Sequence, residues 1–273
     1  VVVAVAFESI LKLVAFLAVG AFVVWGLHPG PAALFAKAAA SPDLAHLLTF
    51  DAAAPDWITL TLLAAAAILC LPRQFQVTVV GCLDEDHLRT AAWAFPLYLL
   101  VINLFVLPIA LAGLMAFPDG SVPPDSFVLA LPLSAGADAL AMLVFLGGLS
   151  AATAMVIVST IALGGMICND VVMPFLLRVA PVYLGNMADV TRLLLLIRRT
   201  AMLGVLALGY AYFRLLDGAY ALVSIGLVSF AAAAQFAPAL LGAVFWRGGT
   251  RRGALAGLTG GFLVWLYCLF LPS

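Results

Sequence analysis

Long apolar stretches recur along this chain and constrain its fold more than any other feature. A helix needs about 20 apolar residues to cross the hydrocarbon core of a bilayer. Stretches of that kind are Val1–Leu27, Ile58–Val80, Ala91–Phe117, Ala137–Ile167, Arg198–Leu216, Ala219–Trp246 and Gly253–Leu271. Because backbone polar groups in lipid must be satisfied within the protein, the pattern predicts an all-α integral membrane protein with about seven transmembrane helices.

The charge content supports lipid as the solvent. Only 9% of the residues are charged, against about 25% in an ordinary soluble domain. The net charge of −1 and the lack of a basic run argue against a nucleic-acid partner. The four cysteines are scattered, without a CxxC pair, so we expect no metal site and no cofactor.

The segments between the spans are rich in Pro, Gly, Asp and Arg, as connecting loops are. The longest, His28–Trp57, contains the patch Leu34–Lys37 and is predicted to hold a short surface helix. The segment Asp170–Val190 is too polar for a span and too apolar for free coil. We expect it to lie against the membrane face.

The distribution of basic residues predicts an orientation, because cytoplasmic loops carry an excess of Lys and Arg. If the spans alternate in direction, one set of loops holds only Lys37 and Arg214. The opposite set holds Arg73, Arg89, Arg178, Arg192, Arg198, Arg199, Arg247, Arg251 and Arg252. We therefore expect a multi-pass protein of a bacterial-type inner membrane, with these Arg-rich loops in the cytoplasm.

No pattern in the sequence indicates catalysis: GxxxxGK[ST], HExxH and GxSxG are all missing. Polar residues inside the spans are more informative, since they are costly in lipid. In the fourth span Ser150, Thr153, Thr160 and Gly164 recur on one helical face. That face either packs against a neighbouring helix, with each hydroxyl bonded to its own backbone, or lines a hydrated path for a solute or ion.

Two charged residues lie in the first span. Glu8 and Lys12 are four residues apart and therefore share one helical face. They are expected to form an internal ion pair, with a proton- or substrate-coupling role as the alternative.

Neutral polar groups also lie deep in the spans. Asn103 and Gln235 bond a neighbouring helix or contact a solute, and Gln235 is favoured for function because Pro238 predicts a helix distortion beside it. Pro72 interrupts the second span in the same way, as in the broken helices of secondary transporters.

Several stretches resemble sodium:solute symporters. The segment GGLSAATAMVIVSTIALGGMICND (Gly147–Asp170) resembles their eighth core helix, and SFAAAAQFAPALLGAVFWRGGTRRGALAGL (Ser229–Leu258) resembles their tenth and the turn into the eleventh. Pro72 stands where the family has Gly-Gln-Pro-His, and Phe7–Ser9 where it has Trp-Thr-Asp. The resemblance implies the LeuT-like inverted-repeat fold. Residues 1–273 would then be a partial symporter-like membrane domain holding core helices five to eleven, without the first four.

A narrower resemblance is to the transporter-like module of CbrA-type hybrid sensor histidine kinases. The segments that carry it are LPRQFQVTVV, HLRTAAWAFPLYLLVINLFVLPIALAG and LSAATAMVIVSTIAL. In those proteins a symporter-like domain precedes cytoplasmic signalling and kinase domains. The resemblance implies a kinase partner in the same polypeptide after Ser273, and it would explain why the chain starts and stops beside apolar spans.

The chain departs from the family at the sodium site. Alignment of Ala151–Ala152 with the paired alanines of the eighth core helix puts Met155 and Val156 where sodium-coupled members have hydroxyls. A thioether and an isopropyl group are poor sodium ligands. The family's Asp becomes Ser9 and its Gln becomes Lys12. We therefore hypothesise that sodium coupling is weak or lost.

Together the residues and the resemblance predict a transporter-like module that binds a small polar solute such as an amino acid and serves as the sensory input domain of a histidine kinase. Whether it also moves the solute is left open. The alternatives are a stand-alone secondary symporter and a purely structural anchor. The residues predicted to line the solute or ion path are Ser150, Thr153, Ser159, Thr160, Gln235 and Asn103, with Glu8 and Lys12 as coupling candidates.

Overall fold

The computed structural model describes residues 2–49, 55–82, 84–179, 187–216 and 222–271, and every regular element within them is a helix. The α-helices are α1 (Val2–Ala21), α2 (Pro31–Ala40), α3 (Pro42–Ala45), α4 (Pro55–Cys70), α5 (Pro72–Phe75), α6 (Glu85–Asn103), α7 (Val106–Ala116), α8 (Phe127–Ser134), α9 (Asp138–Met166), α10 (Met173–Val179), α11 (Met187–Leu216), α12 (Leu222–Ala234), α13 (Ala237–Phe245) and α14 (Arg251–Trp265). Stretches of π-helix continue α1 to Leu27, α5 to Val80, α9 to Val172 and α14 to Phe270.

The predicted all-α class is confirmed for these residues. Six helical stretches are long and apolar enough to cross a bilayer, and one bent pair raises the number to seven. The six are Val3–Leu27, Glu85–Ala116, Asp138–Arg178, Thr191–Leu215, Val223–Phe245 and Arg251–Phe270, and the bent pair is Trp57–Cys70 with Pro72–Val80. The described helices are compatible with a multi-pass membrane protein.

Prolines mark the breaks in three of these stretches. α4 and α5 meet at an angle of 49°, with Pro72 as the first residue of α5. α12 ends at Ala234, and α13 starts at Ala237, after two intervening residues, with Pro238 in its first turn. α6 ends at Asn103, and Pro108 lies in the first turn of α7. A proline fits the first turn of a helix because it lacks the N–H that would be unpaired there. The predicted distortions at Pro72 and Pro238 are confirmed.

The described residues differ from the sequence prediction at the fourth and fifth spans. The helix of the fourth span continues through a π-helical stretch to Arg178, a total of 41 residues. The segment from Asp170 to Val179 is therefore helical and continues the fourth span, and its location against the membrane face stays a prediction. Residues 180–186 fall outside the described ranges. α11 starts at Met187, eleven positions before the predicted Arg198. The polar residues that precede Arg198 are therefore helical as well.

The helices form two compact units. Unit 1 contains residues 1–52 and 83–157, and unit 2 contains residues 53–82 and 158–273, so α9 contributes to both. The core of unit 1 brings together α1, α2, α7, α8 and α9 through Val19, Leu34, Ile109, Leu131 and Val144. Small residues permit the close approach: the ring of Phe105 lies against Gly20, and the ring of Phe127 against Gly113.

Two short helices complete unit 1. Gly30 has a φ of 125°, a left-handed value that suits glycine, and it turns the chain into α2. The surface helix predicted around Leu34–Lys37 is confirmed as α2. α8 was not predicted. It is only eight residues long, and its Leu131 and Pro132 are buried against the rest of unit 1.

In unit 2, α4 packs against α12 and α13, and α14 packs against the same two helices. The indole N–H of Trp265 donates to the Val228 carbonyl at 3.0 Å and so ties α14 to α12. The second half of α9 approaches α11 where Gly164 faces Met202. Large apolar side chains cover the outside of α11; Leu203, for example, is 66% exposed. Such a surface suits lipid rather than water.

Candidate functional site

The first and fourth spans meet in unit 1 through small and polar residues. Ser150 on α9 donates from Oγ to the Glu8 carbonyl at 3.3 Å. One turn earlier on α9, Gly147 lies against Ala15 of α1. The two helices therefore run in opposite directions, and the absence of a side chain at Gly147 lets them approach closely. This contact brings Glu8 to the polar face of α9.

Glu8 is the most unusual side chain at this contact. Its Oε1 lies 3.4 Å from the Thr153 hydroxyl. Its Oε2 is buried and has no hydrogen-bond partner among the described residues. A buried polar atom without a partner is costly and is rare in folded proteins. The structure thus brings both predicted residues to Glu8: Ser150 contacts its backbone carbonyl, and Thr153 contacts its carboxyl group.

Lys12 lies one turn further along α1, but it is not paired with Glu8. Its Nζ lies 5.8 Å from the centroid of the Tyr98 ring on α6. Among the described residues no ion pair within 4.0 Å joins Lys12 to Glu8. The predicted ion pair is therefore wrong. The ion pair does not form because the long lysine side chain extends to an aromatic face, which attracts a cation.

Tyr98 connects α6 to α1. Its hydroxyl donates to the Ser9 carbonyl at 3.2 Å, and its ring carries Lys12. Ser9 bonds back to the Val5 carbonyl at 2.9 Å. Both partners of Tyr98 lie on the first span, so Tyr98 fixes the position of the lysine relative to the helix that carries it.

A cavity of about 580 Å³ lies in unit 1 beside this cluster. Lys12 and Asp125 bring opposite charges to it, and small residues of α9 form one wall. The remaining lining residues are mostly apolar and include Phe16, Ile102, Val128, Val144 and Phe145. Ligand sites in proteins have volumes of about 300–1,000 Å³, with mainly apolar walls and a few polar groups. The cavity matches that description.

A second cavity of about 650 Å³ lies at the loops of unit 1 and is lined by Lys37, Asp43 and His46 together with residues of α7 and its following loop. Near Lys37, His28 is half-buried. Burial lowers the pKa of His28 below its ordinary value, and the positive charge of Lys37 lowers that pKa further. This region is polar and lies outside the apolar spans.

Gln235 lies in unit 2, at the break between α12 and α13. Its amide nitrogen donates to the Ala232 carbonyl of its own helix at 2.8 Å. Its Oε1 is buried without a hydrogen-bond partner, and a Cβ placed on Gly261 of α14 would stand 2.9 Å from that oxygen. The prediction that Gln235 bonds a neighbouring helix is not supported by these contacts. Oε1 of Gln235 is thus, after Oε2 of Glu8, the second buried side-chain oxygen without a partner among the described residues of the spans.

The other predicted residues are dispersed. Asn103 ends α6, is exposed and donates to the Leu99 carbonyl at 2.7 Å. Ser159 and Thr160 belong to the part of α9 in unit 2, where Thr160 is 9% exposed. Met155 and Val156, the residues at the expected sodium positions, are both exposed on α9.

Sequence reasoning missed Tyr98 and Asp125. Tyr98 lies in an apolar run that predicts an ordinary span, and its phenol is the only feature that distinguishes it from its apolar neighbours. Asp125 lies in the loop before α8, where an acidic residue is unremarkable. Nothing in the sequence pairs either residue with Lys12, because their proximity depends on how α1, α6 and α8 pack.

The fold and the site define a class: a helical protein whose described residues include six or seven stretches long and apolar enough to cross a membrane, with a ligand-sized cavity inside one unit. Comparison of the chain with protein-family models, with characterised proteins and with solved structures gives no match. The resemblance to sodium:solute symporters therefore stays a prediction that the sequence motifs carry.

Proposed function

We propose that this chain is a transporter-like membrane module that binds a small polar solute, such as an amino acid, in the unit 1 cavity. One observation carries the proposal: an apolar cavity of about 580 Å³ is lined by a cation, Lys12, and a carboxylate, Asp125. Charges are expensive inside membrane spans and mark solute or ion pathways when they occur, which applies to Lys12 in the first span. Asp125 lies in the exposed loop before α8. Apolar walls between two opposite charges suit a zwitterion.

Lys12 is the residue that would hold the carboxylate of the solute. An ammonium has three N–H donors, and among the described residues none is engaged by an ion pair. The contact with the Tyr98 ring uses the charge of Lys12 but no lone-pair acceptor. The donors of Lys12 are thus available to a ligand in the cavity. Asp125 would hold the ammonium of the same solute.

The motif resemblance supports the wider part of the proposal. A partial symporter-like domain with the LeuT-like fold would bind its solute near mid-membrane and work by alternating access. In the CbrA-type arrangement the bound solute would inform a cytoplasmic kinase in the same polypeptide. We propose that role, with the Arg-rich loops on the cytoplasmic side. A stand-alone symporter is the alternative, and the residues that follow Ser273 in the gene separate the two.

The direct test measures binding of amino acids to the purified chain in lipid nanodiscs by calorimetry. A Lys12→Met variant keeps the stem of the side chain and removes its charge. We expect a loss of affinity of about 10- to 100-fold, the range for one charge-assisted hydrogen bond. The matched control is Lys37→Met, which removes a lysine of the second cavity and should leave the affinity unchanged.

Two results would contradict the proposal. One is a wild-type chain that binds no amino acid, which would leave the structural anchor as the better function. The other is unchanged affinity in both Lys12→Met and Asp125→Asn. The variant Gln235→Leu tests the site predicted from sequence: if it alone weakens binding without reducing membrane insertion, the solute lies at the break between α12 and α13.

Ion coupling requires a separate measurement. In proteoliposomes of the full-length protein we expect solute uptake that does not scale with a sodium gradient, because Met155 and Val156 offer no hydroxyl ligands. Uptake that rises with the sodium gradient would contradict this part of the proposal while leaving solute binding intact.

A further inference from the structure

The hydrogen-bond donors around Glu8 determine which form of its carboxyl group fits. Glu8 lies on the second turn of α1, within the apolar stretch Val3–Leu27. An ionised carboxylate only accepts hydrogen bonds, so it needs donors from its surroundings. Oε2 has none among the described residues. Among the described residues, the only hydrogen-bonding contact of Oε1 is with the hydroxyl of Thr153.

The Thr153 hydroxyl has one hydrogen and two nearer acceptors. Its Oγ1 lies 2.9 Å from the Ser150 carbonyl and 3.0 Å from the Leu149 carbonyl. The distance to Glu8 Oε1 is longer, at 3.4 Å. A threonine in a helix commonly donates to such carbonyls of its own preceding turn. The hydrogen of Thr153 is therefore directed to its own helix, and an oxygen lone pair faces Glu8.

Other nearby groups do not supply a donor either. Ser150 donates to the backbone carbonyl of Glu8, not to the carboxyl group. Tyr98 donates to the Ser9 carbonyl. Lys12 lies over the Tyr98 ring and makes no ion pair with Glu8. The hydroxyl of Ser9 donates to the Val5 carbonyl at 2.9 Å, so it does not donate to the carboxyl group of Glu8 either.

The remaining helices packed against α1 carry no titratable side chain: α7 and α8 contain neither acids nor bases. On α9 the nearest acid is Asp138 at its first residue, about 18 Å along the helix axis from Ser150. Asp125, which lines the cavity with Lys12, lies in the loop before α8. Among the titratable groups of these helices, Lys12 lies one turn from Glu8, and the described hydroxyls donate to carbonyls rather than to the carboxyl group of Glu8.

We propose that Glu8 is a proton-binding site of this module. In the present conformation its carboxyl group is neutral, and its O–H donates from Oε1 to Oγ1 of Thr153. Protonation removes the negative charge from a half-buried carboxyl group and gives its Oε1 a hydrogen to donate towards Thr153. The proton leaves to water as H⁺ when α1 and α9 separate enough for water to solvate the carboxylate. This site is independent of the solute that occupies the cavity.

The composition allows a direct measurement, because Glu8 and Glu85 are the only two glutamates in the chain. Cell-free synthesis with glutamate labelled with ¹³C at the carboxyl carbon gives one resonance for each, and ¹³C shifts distinguish a carboxylic acid from a carboxylate. Glu85 is exposed at the start of α6 and serves as an internal reference. Glu8→Gln identifies the Glu8 signal; if that variant does not fold, Glu85→Gln makes the same assignment by removing the other signal.

At neutral pH without added solute, we expect the Glu8 resonance at the acid position and the Glu85 resonance at the carboxylate position. Thr153→Val should shift the Glu8 resonance, because the acid loses its acceptor. Thr200→Val is the matched control: Thr200 also bonds carbonyls of its own helix, at 3.0 Å each, and it lies in unit 2. Both glutamates at the carboxylate position would overturn the proposal, and so would a Glu8 signal that Thr153→Val leaves unmoved. Neither result bears on solute binding, so the two proposals fail separately.

Discussion

Most hydroxyl side chains in the spans bond a carbonyl about one turn earlier on their own helix. Thr61, Thr78 and Thr259 do so at 2.7 to 2.8 Å. A hydroxyl satisfied in this way costs little in lipid and carries no functional information. Among the described residues, Glu8 and Gln235 stand out because each has a buried side-chain oxygen without a hydrogen-bond partner.

The close approach of α1 and α9 depends on a single missing side chain. A Cβ at Gly147 would stand 2.6 Å from the Cβ of Ala15, while the neighbouring Gly148 has open space. We expect Gly147→Ala to destabilise unit 1 by about 1–3 kcal/mol, the usual cost of overpacking. Gly148→Ala should not destabilise, since alanine favours the helix. Thermal unfolding in detergent compares the two variants.

A second substitution tests the mechanism. Ala15→Gly removes the facing methyl group, so the double variant Gly147→Ala/Ala15→Gly should recover most of the loss, less about 1 kcal/mol for a glycine inside a helix. If the double variant is as unstable as the sum of the single ones, the steric explanation is wrong.

His28 gives the chain a pH dependence outside the membrane. Burial lowers its pKa, and Lys37 lowers that pKa further. Below about 6.5, the ordinary pKa, the unfolded chain takes up a proton that the folded chain resists. His28 therefore reduces stability as the pH falls through that value towards the folded pKa.

The measurement is an NMR titration of the histidine ring. We expect a midpoint for His28 below the ordinary value, and a higher midpoint in Lys37→Gln, because the charge of Lys37 is gone. Lys37→Arg keeps the charge and should leave the midpoint low. An unchanged midpoint in Lys37→Gln would show that burial alone lowers the pKa.

At this scale the sequence could identify the polar residues in the spans but not their partners. Spacing places Glu8 and Lys12 on one face, yet the lysine reaches Tyr98, which is 86 positions further along the chain. Similarly, Ser150 and Thr160 share a face of α9 but belong to different units. Such contacts depend on helix packing, which periodicity does not encode.

At the scale of elements, prolines have different effects in different spans. Pro72 coincides with a 49° bend, whereas Pro96 lies inside the continuous helix α6. The sequence predicted the break at Pro72 because Arg73 and Gln74 accompany it. It predicted the distortion beside Gln235 from Pro238 itself. The break between α6 and α7 was not predicted, although Asn103 and Pro108 lie on either side of Leu104.

The bend at Pro72 can be tested by distance. Leu71 has an extended backbone, with ψ at 127°, so α4 cannot run into α5. Pro72→Ala restores an N–H donor and removes the ring that clashes with the preceding turn. We therefore expect a straighter span and a longer distance between spin labels at Leu62→Cys and Val79→Cys in a cysteine-free background.

Pro96→Ala is the control for this experiment, since α6 is continuous through Pro96. It should leave the same spin-label distance unchanged. A Pro72→Ala variant that keeps the wild-type distance would show that packing against α12 and α13, not the proline, sets the bend.

At the scale of the whole molecule, the long apolar helices were the most predictable feature. All seven predicted spans have a counterpart among the described helices, because the length of an apolar run is a local property that the bilayer thickness fixes. The polar ends were less predictable. Asp170 and Arg192 lie in helices that extend beyond the apolar runs, and helices that project from the membrane need no apolar signal.

The orientation of the spans gives the last prediction. The stretch Glu85–Ala116 contains α6 with 19 residues and α7 with 11, together about 45 Å at 1.5 Å per residue, which exceeds the hydrocarbon thickness of about 30 Å. His87 and Asp119 are exposed at its two ends. They should therefore lie on opposite sides of the membrane, with His87, beside Arg89, in the cytoplasm.

Cysteine labelling checks this arrangement in a background without Cys70, Cys82, Cys168 and Cys268. With a membrane-impermeant maleimide on intact spheroplasts, we expect Asp119→Cys to react and His87→Cys to react only after the membrane is opened. Labelling of both from outside would mean that Glu85–Ala116 does not cross. The reverse pattern would place the Arg-rich loops outside and move Glu8 from the cytoplasmic to the outer half of the bilayer, so the proton held there would exchange with the opposite compartment.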